Sequence, residues 1–233
     1  MLDYEKFLLN NKAWVQDKLE LDETYFEALS TGQQPTALWI GCSDSRVDAN
    51  ELIGTQPGEL FVHRNIANLV VVSDLNVLSV VQYAVDVLKV KDIIVCGHYE
   101  CGGIKAALDH QPMGLIAHWL QNIKNVRDTY KEELDRMPNE QTKLDRLVEL
   151  NVREQVHNLI RTPLIRAAWQ RGQSLCLHGW IFNLRTGLIK PMVDLDIGND
   201  SFATLVSQLQ SQEKPALEPS TDIRTLEGYE AGL

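Results

Sequence analysis

Cysteine is scarce in this chain, with four among 233 residues. So few in so long a chain exclude a small disulfide-stapled scaffold. Long apolar runs are missing too, and no stretch approaches the ~20 residues of a membrane-spanning helix. The opening Met1-Leu2-Asp3-Tyr4-Glu5 is too acidic for a secretory signal. Positive charge is in deficit: 22 Lys and Arg against 32 Asp and Glu give a formal net charge of −10. That balance argues against nucleic-acid or anionic-membrane partners, which select basic patches. No internal repeat or low-complexity block stands out. The remainder is ordinary globular composition, 44% hydrophobic and 23% charged, expected in a reducing, cytoplasmic compartment that keeps cysteines free.

Periodicity divides the chain into three parts. Residues 1–35 form an N-terminal helical arm, with Phe7, Leu8, Trp14, Leu19, Tyr25 and Phe26 at helical spacing. An interruption at Asn10-Asn11 predicts two helices, whose apolar face needs a cover such as a second subunit. Residues 36–197 read as an α/β domain. Short apolar runs predict buried strands at Thr36–Gly41, Glu59–His63 and Asp92–Cys96. Another strand spans Leu175–Leu177 and Trp180–Leu184, and an edge strand Leu188–Val193. A helix is predicted over Leu75–Val90, and 114–171 reads as helical, broken near Met137-Pro138 and Thr162-Pro163. The expected fold is a mostly parallel central sheet flanked by helices. Residues 198–233 turn polar, with Pro215 and Pro219 in an extended tail.

Two of the cysteines carry the chemistry. Cys42 opens Cys42-Ser43-Asp44-Ser45-Arg46 just after the first strand, and His98-Tyr99-Glu100-Cys101 follows Ile93-Ile94-Val95. Ligands of open α/β sheets gather at the carboxyl ends of the strands. If these two strands are neighbours, ~5 Å apart, Cys42, His98 and Cys101 can share one Zn2+. No second Cys-x-x-Cys closes the tetrahedron, and three protein ligands with a place left for water mark a catalytic zinc. Two thiolates and an imidazole leave the ion nearly neutral, so its water is acidified less than at a three-histidine site. Asp44 can accept a hydrogen bond from that water and orient it, and Arg46 can hold Asp44 ionised through a two-pronged ion pair. Hydroxide in a small pocket suits attack on a compact electrophilic carbon.

Both motifs, in this order and about fifty residues apart, resemble the β-class carbonic anhydrases over roughly Gln33 to Gly103. The downstream helices and Leu177-His178-Gly179-Trp180 are similar to the same family. The resemblance implies a lyase that reversibly hydrates carbon dioxide to bicarbonate and a proton. Zinc-bound hydroxide attacks, with Cys42, His98 and Cys101 as metal ligands and Asp44–Arg46 as the assisting pair. It implies a substrate pocket from Gln33, Phe61, Ile66, Tyr83 and the backbone of Gly102, some of it supplied across a homodimer or homotetramer. It also implies a switch in one subtype, where the Asp (here Asp44) ligates zinc and closes the site, favoured below about neutral pH. Such members hold a regulatory bicarbonate with a Trp, an Arg and a Tyr. Trp39 and Arg64 match the first two, but Phe182 lies where the Tyr is expected and lacks its hydroxyl.

Other readings stand beside these. The trio could merely staple two strands as a silent zinc module for assembly, and Asp44–Arg46 could be a surface ion pair. The same scaffold could hydrolyse carbonyl sulfide or carbon disulfide, as certain relatives do. Trp39 is as well explained by packing, and Arg64 by an interface salt bridge. Cys96, inside an apolar strand, and Cys176 read as packed and inert. His63, His110, His118, His157 and His178 have no partner at ligand spacing.

Overall fold

The computed structural model of the chain describes residues 2–109 and 114–196. The polar extension over 198–233 and His110 therefore lie outside the described residues. Five strands form one sheet: β1 (Ala37–Cys42), β2 (Leu60–Asn65), β3 (Asp92–His98), β4 (Cys176–Phe182) and β5 (Ile189–Asp196). Their spatial order is β2-β1-β3-β4-β5. All neighbours pair in parallel except β5, which runs antiparallel to β4 at the edge. The predicted mostly parallel α/β sheet is the observed fold; β1, β2, β3 and β5 run slightly further at their carboxyl ends than the apolar runs suggested, while β4 stops short of Leu184. His98 is the last residue of β3 rather than a loop residue beyond it.

Alternation along β1 sorts the core. Leu38 and Ile40 face a large helical layer, while Ala37 and Trp39 face a smaller cluster with Val47, Ala49, Ile94, Cys96 and Phe182. α3 (Ala49–Ile53), which the sequence reading missed, borders the small cluster; Asp48 caps it by accepting from the Asn50 and Glu51 N–H groups. The predicted helix at Leu75–Val90 is α4 (Leu75–Gln82), prolonged by a wider turn over Tyr83–Leu88. After a short α5 (Gly102–Leu108), the stretch read as helical over 114–171 forms α6 (Ile116–Thr129), α7 (Lys131–Asp135), α8 (Glu140–Arg161) and α9 (Pro163–Gln170). The expected breaks occur where Asn139 and Thr162 cap α8 and α9, and Tyr130 adds a third between α6 and α7.

α8 lies across β3 and β4, and two glycines make that approach possible. A Cβ on Gly97 would sit 2.5 Å from Val152 Cγ2, and one on Gly179 3.1 Å from Val152 Cγ1. The helix thus runs beside the strand that carries His98.

The arm departs from expectation in detail. α1 (Asp3–Leu21) runs unbroken through Asn10-Asn11, and the chain turns instead at Asp22–Thr24 before α2 (Tyr25–Ser30). Two adjacent Asn cost a helix only tenths of a kcal/mol each, too little to stop it. Trp14 packs edge-on against Tyr25 and Phe26 and fixes the corner. Neither arm helix buries a residue within the chain, and Phe7 is 69% exposed.

Candidate metal centre

β1 and β3 are hydrogen-bonded neighbours, with Gly41 opposite Cys96, so their carboxyl ends bring Cys42 and His98 together. Cys101 immediately precedes α5 and returns to the same point. Among the described residues, these three form the one cluster of His, Cys or acidic groups whose ligand atoms lie within 4.8 Å of one another. The two Sγ atoms are 3.9 Å apart, and all three residues are buried.

His98 Nδ1 lies 2.9 Å from the Tyr99 carbonyl, which can only accept, so Nδ1 carries the proton. Nε2 is then left with its lone pair, buried and without a hydrogen-bond partner. An orphaned buried nitrogen is costly unless something occupies its lone pair, and two facing sulfurs supply the rest of a soft donor set. The residues fit a metal ion of zinc's preference.

The thiols are poised unequally. A hydrogen bond from Cys101 is the largest influence holding the Cys42 thiol down, to about 4, against burial. His98 and the backbone N–H groups of Ala67 and Asp44 add to it. Cys101, as the donor and buried beside a thiolate, is pushed up. Burial opposes charge on His98, but the Cys42 thiolate overrides it and raises the imidazole. Cys96 packs in the small cluster with Trp39 and Phe182, where burial pushes its thiol up to about 12. It is an inert core thiol, as its apolar strand implied.

Asp44 and Arg46 are joined as expected. Arg46 Nε donates to Asp44 Oδ1 at 2.9 Å and Nη2 to Oδ2 at 2.7 Å, a two-pronged pair. The guanidinium holds the Asp44 carboxyl well below the usual carboxylate range. Asp44 Oδ2 also lies 3.7 Å from His98 Nε2, at the mouth of the trio. Asp44 itself stands outside the cluster and, in this conformation, is paired with Arg46.

Arg64 takes a role that sequence reasoning missed. Its Nε donates to the Cys42 carbonyl at 2.9 Å, and its Nη2 to the carbonyls of Asp44 and Val47 at 2.6 and 2.8 Å. One guanidinium thus gathers the loop that carries Cys42, Asp44 and Arg46. Only carbonyls receive it, so no motif could have announced it. Trp39 is buried edge-on to Trp180, and Phe182 is buried in the same small cluster. Glu100, with φ +61°, anchors the His98–Cys101 loop to Arg185, whose Nε donates at 2.6 Å.

The expected pocket residues divide between the two ends of the sheet. Ile66 follows β2 and packs on the α5 start, where a Cβ on Gly103 would lie 2.8 Å from its Cγ2. Ile66 and Gly102 therefore border this chain's own metal trio. Phe61 is opposite Leu38 in register, and Tyr83 lies 5.8 Å from it, ring centre to ring centre. Gln33 lines a crevice with Tyr25, Leu29 and Pro57–Glu59, before β1 and β2 begin. At ~3.3 Å per residue, Phe61 sits roughly 13 Å back from the carboxyl end. One chain does not bring Gln33, Phe61 and Tyr83 to its own trio. Elsewhere, His178 bridges Asp194 at 2.7 Å and Asp92 at 3.0 Å, and burial keeps His63 below its ordinary pKa.

The carbonic anhydrase family profile matches residues 37–189, the span from β1 to the start of β5. The chain belongs to the β-class carbonic anhydrases. A carbonic anhydrase of Emericella nidulans is 46% identical over 189 residues, covering 81% of this chain and 83% of that one. A tetrameric β-carbonic anhydrase structure from Sordaria macrospora superposes with TM-score 0.78 at 40% identity, covering 82% of this chain and 98% of its own. A Coccomyxa β-carbonic anhydrase in complex with acetazolamide gives TM-score 0.80, also at 40% identity, over 84% of this chain and 89% of that one. Membership makes the chain an enzyme of carbon dioxide hydration. Among the described residues, no helix is long and apolar enough to cross a membrane.

Proposed function

We propose that Cys42, His98 and Cys101 hold zinc and that Asp44, steadied by Arg46, orients the water used to hydrate carbon dioxide. The observation that carries this reading is the buried, partnerless His98 Nε2 facing two sulfurs, with an Asp44 oxygen 3.7 Å away. Zinc bound there would be a Lewis acid that lowers the pKa of water and supplies hydroxide near neutral pH. Asp44 would accept a proton-bearing edge of that water through Oδ2 and leave its lone pair toward the substrate. Arg46 occupies both carboxylate oxygens from the far side, so Asp44 keeps one orientation and stays charged. The Gly102 N–H, which no i−4 carbonyl claims at the start of α5, would meet a substrate oxygen, with Ile66 walling the pocket.

Asp44→Ala should lower kcat by about a hundredfold or more while zinc stays at one per chain. Stopped-flow carbon dioxide hydration beside metal analysis is the test. Zinc retained with turnover unchanged would remove Asp44 from the mechanism. Carbonyl sulfide and carbon disulfide, offered to the same protein, separate the hydrolase alternative.

Acid closure requires Asp44 to leave Arg46 for the metal. Because its pKa is depressed, the stability of the ion pair is fully present above the unfolded value of about 3.9 and lost only as pH falls through the lower folded value. Asp44 therefore stays ionised across the working range, and closure is an exchange of partners, not a protonation. We expect turnover to fall as pH drops from about 9 to about 6.5. A flat profile over that range removes closure and leaves the Asp44–Arg46 pair untouched. We assign Arg64 to holding the loop rather than to a regulatory bicarbonate: its donors serve three carbonyls, and Phe182 brings no hydroxyl.

We further propose a homodimer or higher homo-oligomer in which Gln33, Phe61 and Tyr83 of one copy complete the pocket of another. The uncovered apolar faces of α1 and α2 supply a surface for that association. Free thiols at all four cysteines suit the cytoplasm.

A further inference from the structure

Four non-glycine residues have left-handed φ among the described residues, and three of them surround the metal trio. Glu100 lies within the His98–Cys101 loop. Ala67 (φ +66°) and Asn68 (φ +49°) are consecutive, both buried, in the turn that follows β2. Asn tolerates this region, but alanine does not favour it, and two such residues in succession persist only where surroundings impose them. The Ala67 N–H is the group this turn delivers, and it points at Cys42 Sγ, 3.4 Å away.

Asn65 closes the turn locally, its Oδ1 accepting the Leu69 N–H at 2.7 Å and its Nδ2 donating to the Leu69 carbonyl at 2.8 Å. A row of amides on α8, more than eighty residues further along the chain, ties it from outside. Asn151 Nδ2 donates to the Ala67 carbonyl at 3.1 Å. Gln155 Oε1 accepts the Val70 N–H at 2.8 Å, and its Nε2 donates to Asn151 Oδ1 at 3.0 Å. Asn158 Nδ2 donates to the Val70 carbonyl at 3.1 Å. Spacings of four and three place all three on one face of the helix. Asn151 and Gln155 are 1% and 2% exposed, so their amides are satisfied within the protein, by this segment, by one another and, for Gln155 Oε1, by Asn158 Nδ2 at 3.4 Å. Fastening α8 alone would not require one of these bonds to fall on Ala67, the residue whose N–H meets the thiolate.

We propose that Asn151 and Gln155 are positioning residues for the metal centre, holding Ala67 in a strained turn so that its N–H donates to the Cys42 sulfur. A hydrogen bond to a ligating thiolate withdraws electron density from sulfur and fixes its direction, which leaves the metal more Lewis acidic and the ligand less mobile. The inference rests on the trio being a zinc site, as proposed above.

Two readouts report on the site without activity. They are zinc affinity by chelator competition and the sulfur-to-metal charge-transfer band of the cobalt-substituted protein. Asn151→Ala should weaken zinc binding about tenfold or more and move the band to lower energy, because a thiolate relieved of a donor releases its electrons more readily. Asn158→Ala removes a bond of equal length to the same segment and a longer one to Gln155, but leaves both Asn151 bonds and the Gln155–Val70 bond in place, and should leave zinc affinity within about twofold. Combining Ala67→Gly with Asn151→Ala makes the left-handed turn inexpensive for the backbone and should recover about fivefold of the loss. Should Asn151→Ala not accumulate as folded protein, Gln155→Met, similar in size and without the amide, carries the same expectation.

An unmoved band with unchanged affinity in Asn151→Ala would overturn the inference, as would an equal loss in Asn158→Ala. A chain that binds no zinc before any substitution sinks the metal reading itself, which keeps the two failures apart.

Discussion

Cys101→Ala is expected to empty the metal centre and take carbon dioxide hydration down by at least about a thousandfold. The substitution is small and sits at a helix start, so loss of packing does not account for such an effect. What disappears is one of two sulfurs 3.9 Å apart, leaving a thiolate and an imidazole too few to retain the ion against solvent. Cys96→Ala supplies the contrast. Cys96 is equally buried and lies two residues before His98, but it packs in the small cluster with Trp39 and Phe182, apart from the cluster that holds Cys42 and Cys101. Its replacement should leave metal content and turnover near those of the unmodified chain. Metal analysis of both purified variants, alongside stopped-flow hydration, decides the matter. A Cys101→Ala protein with one zinc per chain and full activity would place the centre elsewhere.

Mixing two inactive variants is expected to restore activity, and this follows from the division of the pocket residues. Asp44→Ala damages the metal end of a chain, and Phe61→Ala combined with Tyr83→Ala damages the amino end of the same sheet. If each pocket joins the metal end of one copy to the amino end of another, each variant alone should be poorly active. A heterodimer of the two would contain one intact site and one doubly damaged site. Random reassortment of equal amounts makes half the dimers mixed, so about a quarter of the unmodified activity should return. Denaturing and refolding the variants together, against each refolded alone, provides the measurement. Additive activity with no gain on mixing would mean that each chain completes its own pocket, contrary to the register that places Phe61 opposite Leu38.

Much of the fold was legible because buried parallel strands are short, continuous and apolar, and β1 and β3 both have that form. α3 was not legible: five residues, Ala49–Ile53, are too few to display a helical period. Asn10-Asn11 looked like a break because polar pairs often mark loops, yet α1 continues through it. The trio was readable because thiolate and imidazole at strand ends are rare combinations with a specific chemistry. Arg64 was readable as a residue but not as a clamp, since its partners are three backbone carbonyls.

By itself, the sequence determined the ligand types, the Asp44–Arg46 spacing and the placement of each motif at the carboxyl end of a strand. These are local properties, written in side-chain chemistry and in short-range periodicity. Only the tertiary structure decided which groups surround the sulfurs. The Ala67 N–H is a backbone atom, brought to Cys42 by a strained turn and secured by amides on α8. The separation of Phe61 and Tyr83 from the trio was likewise a matter of register. Backbone donors and distances across a sheet carry no residue code, and packing alone assigns them.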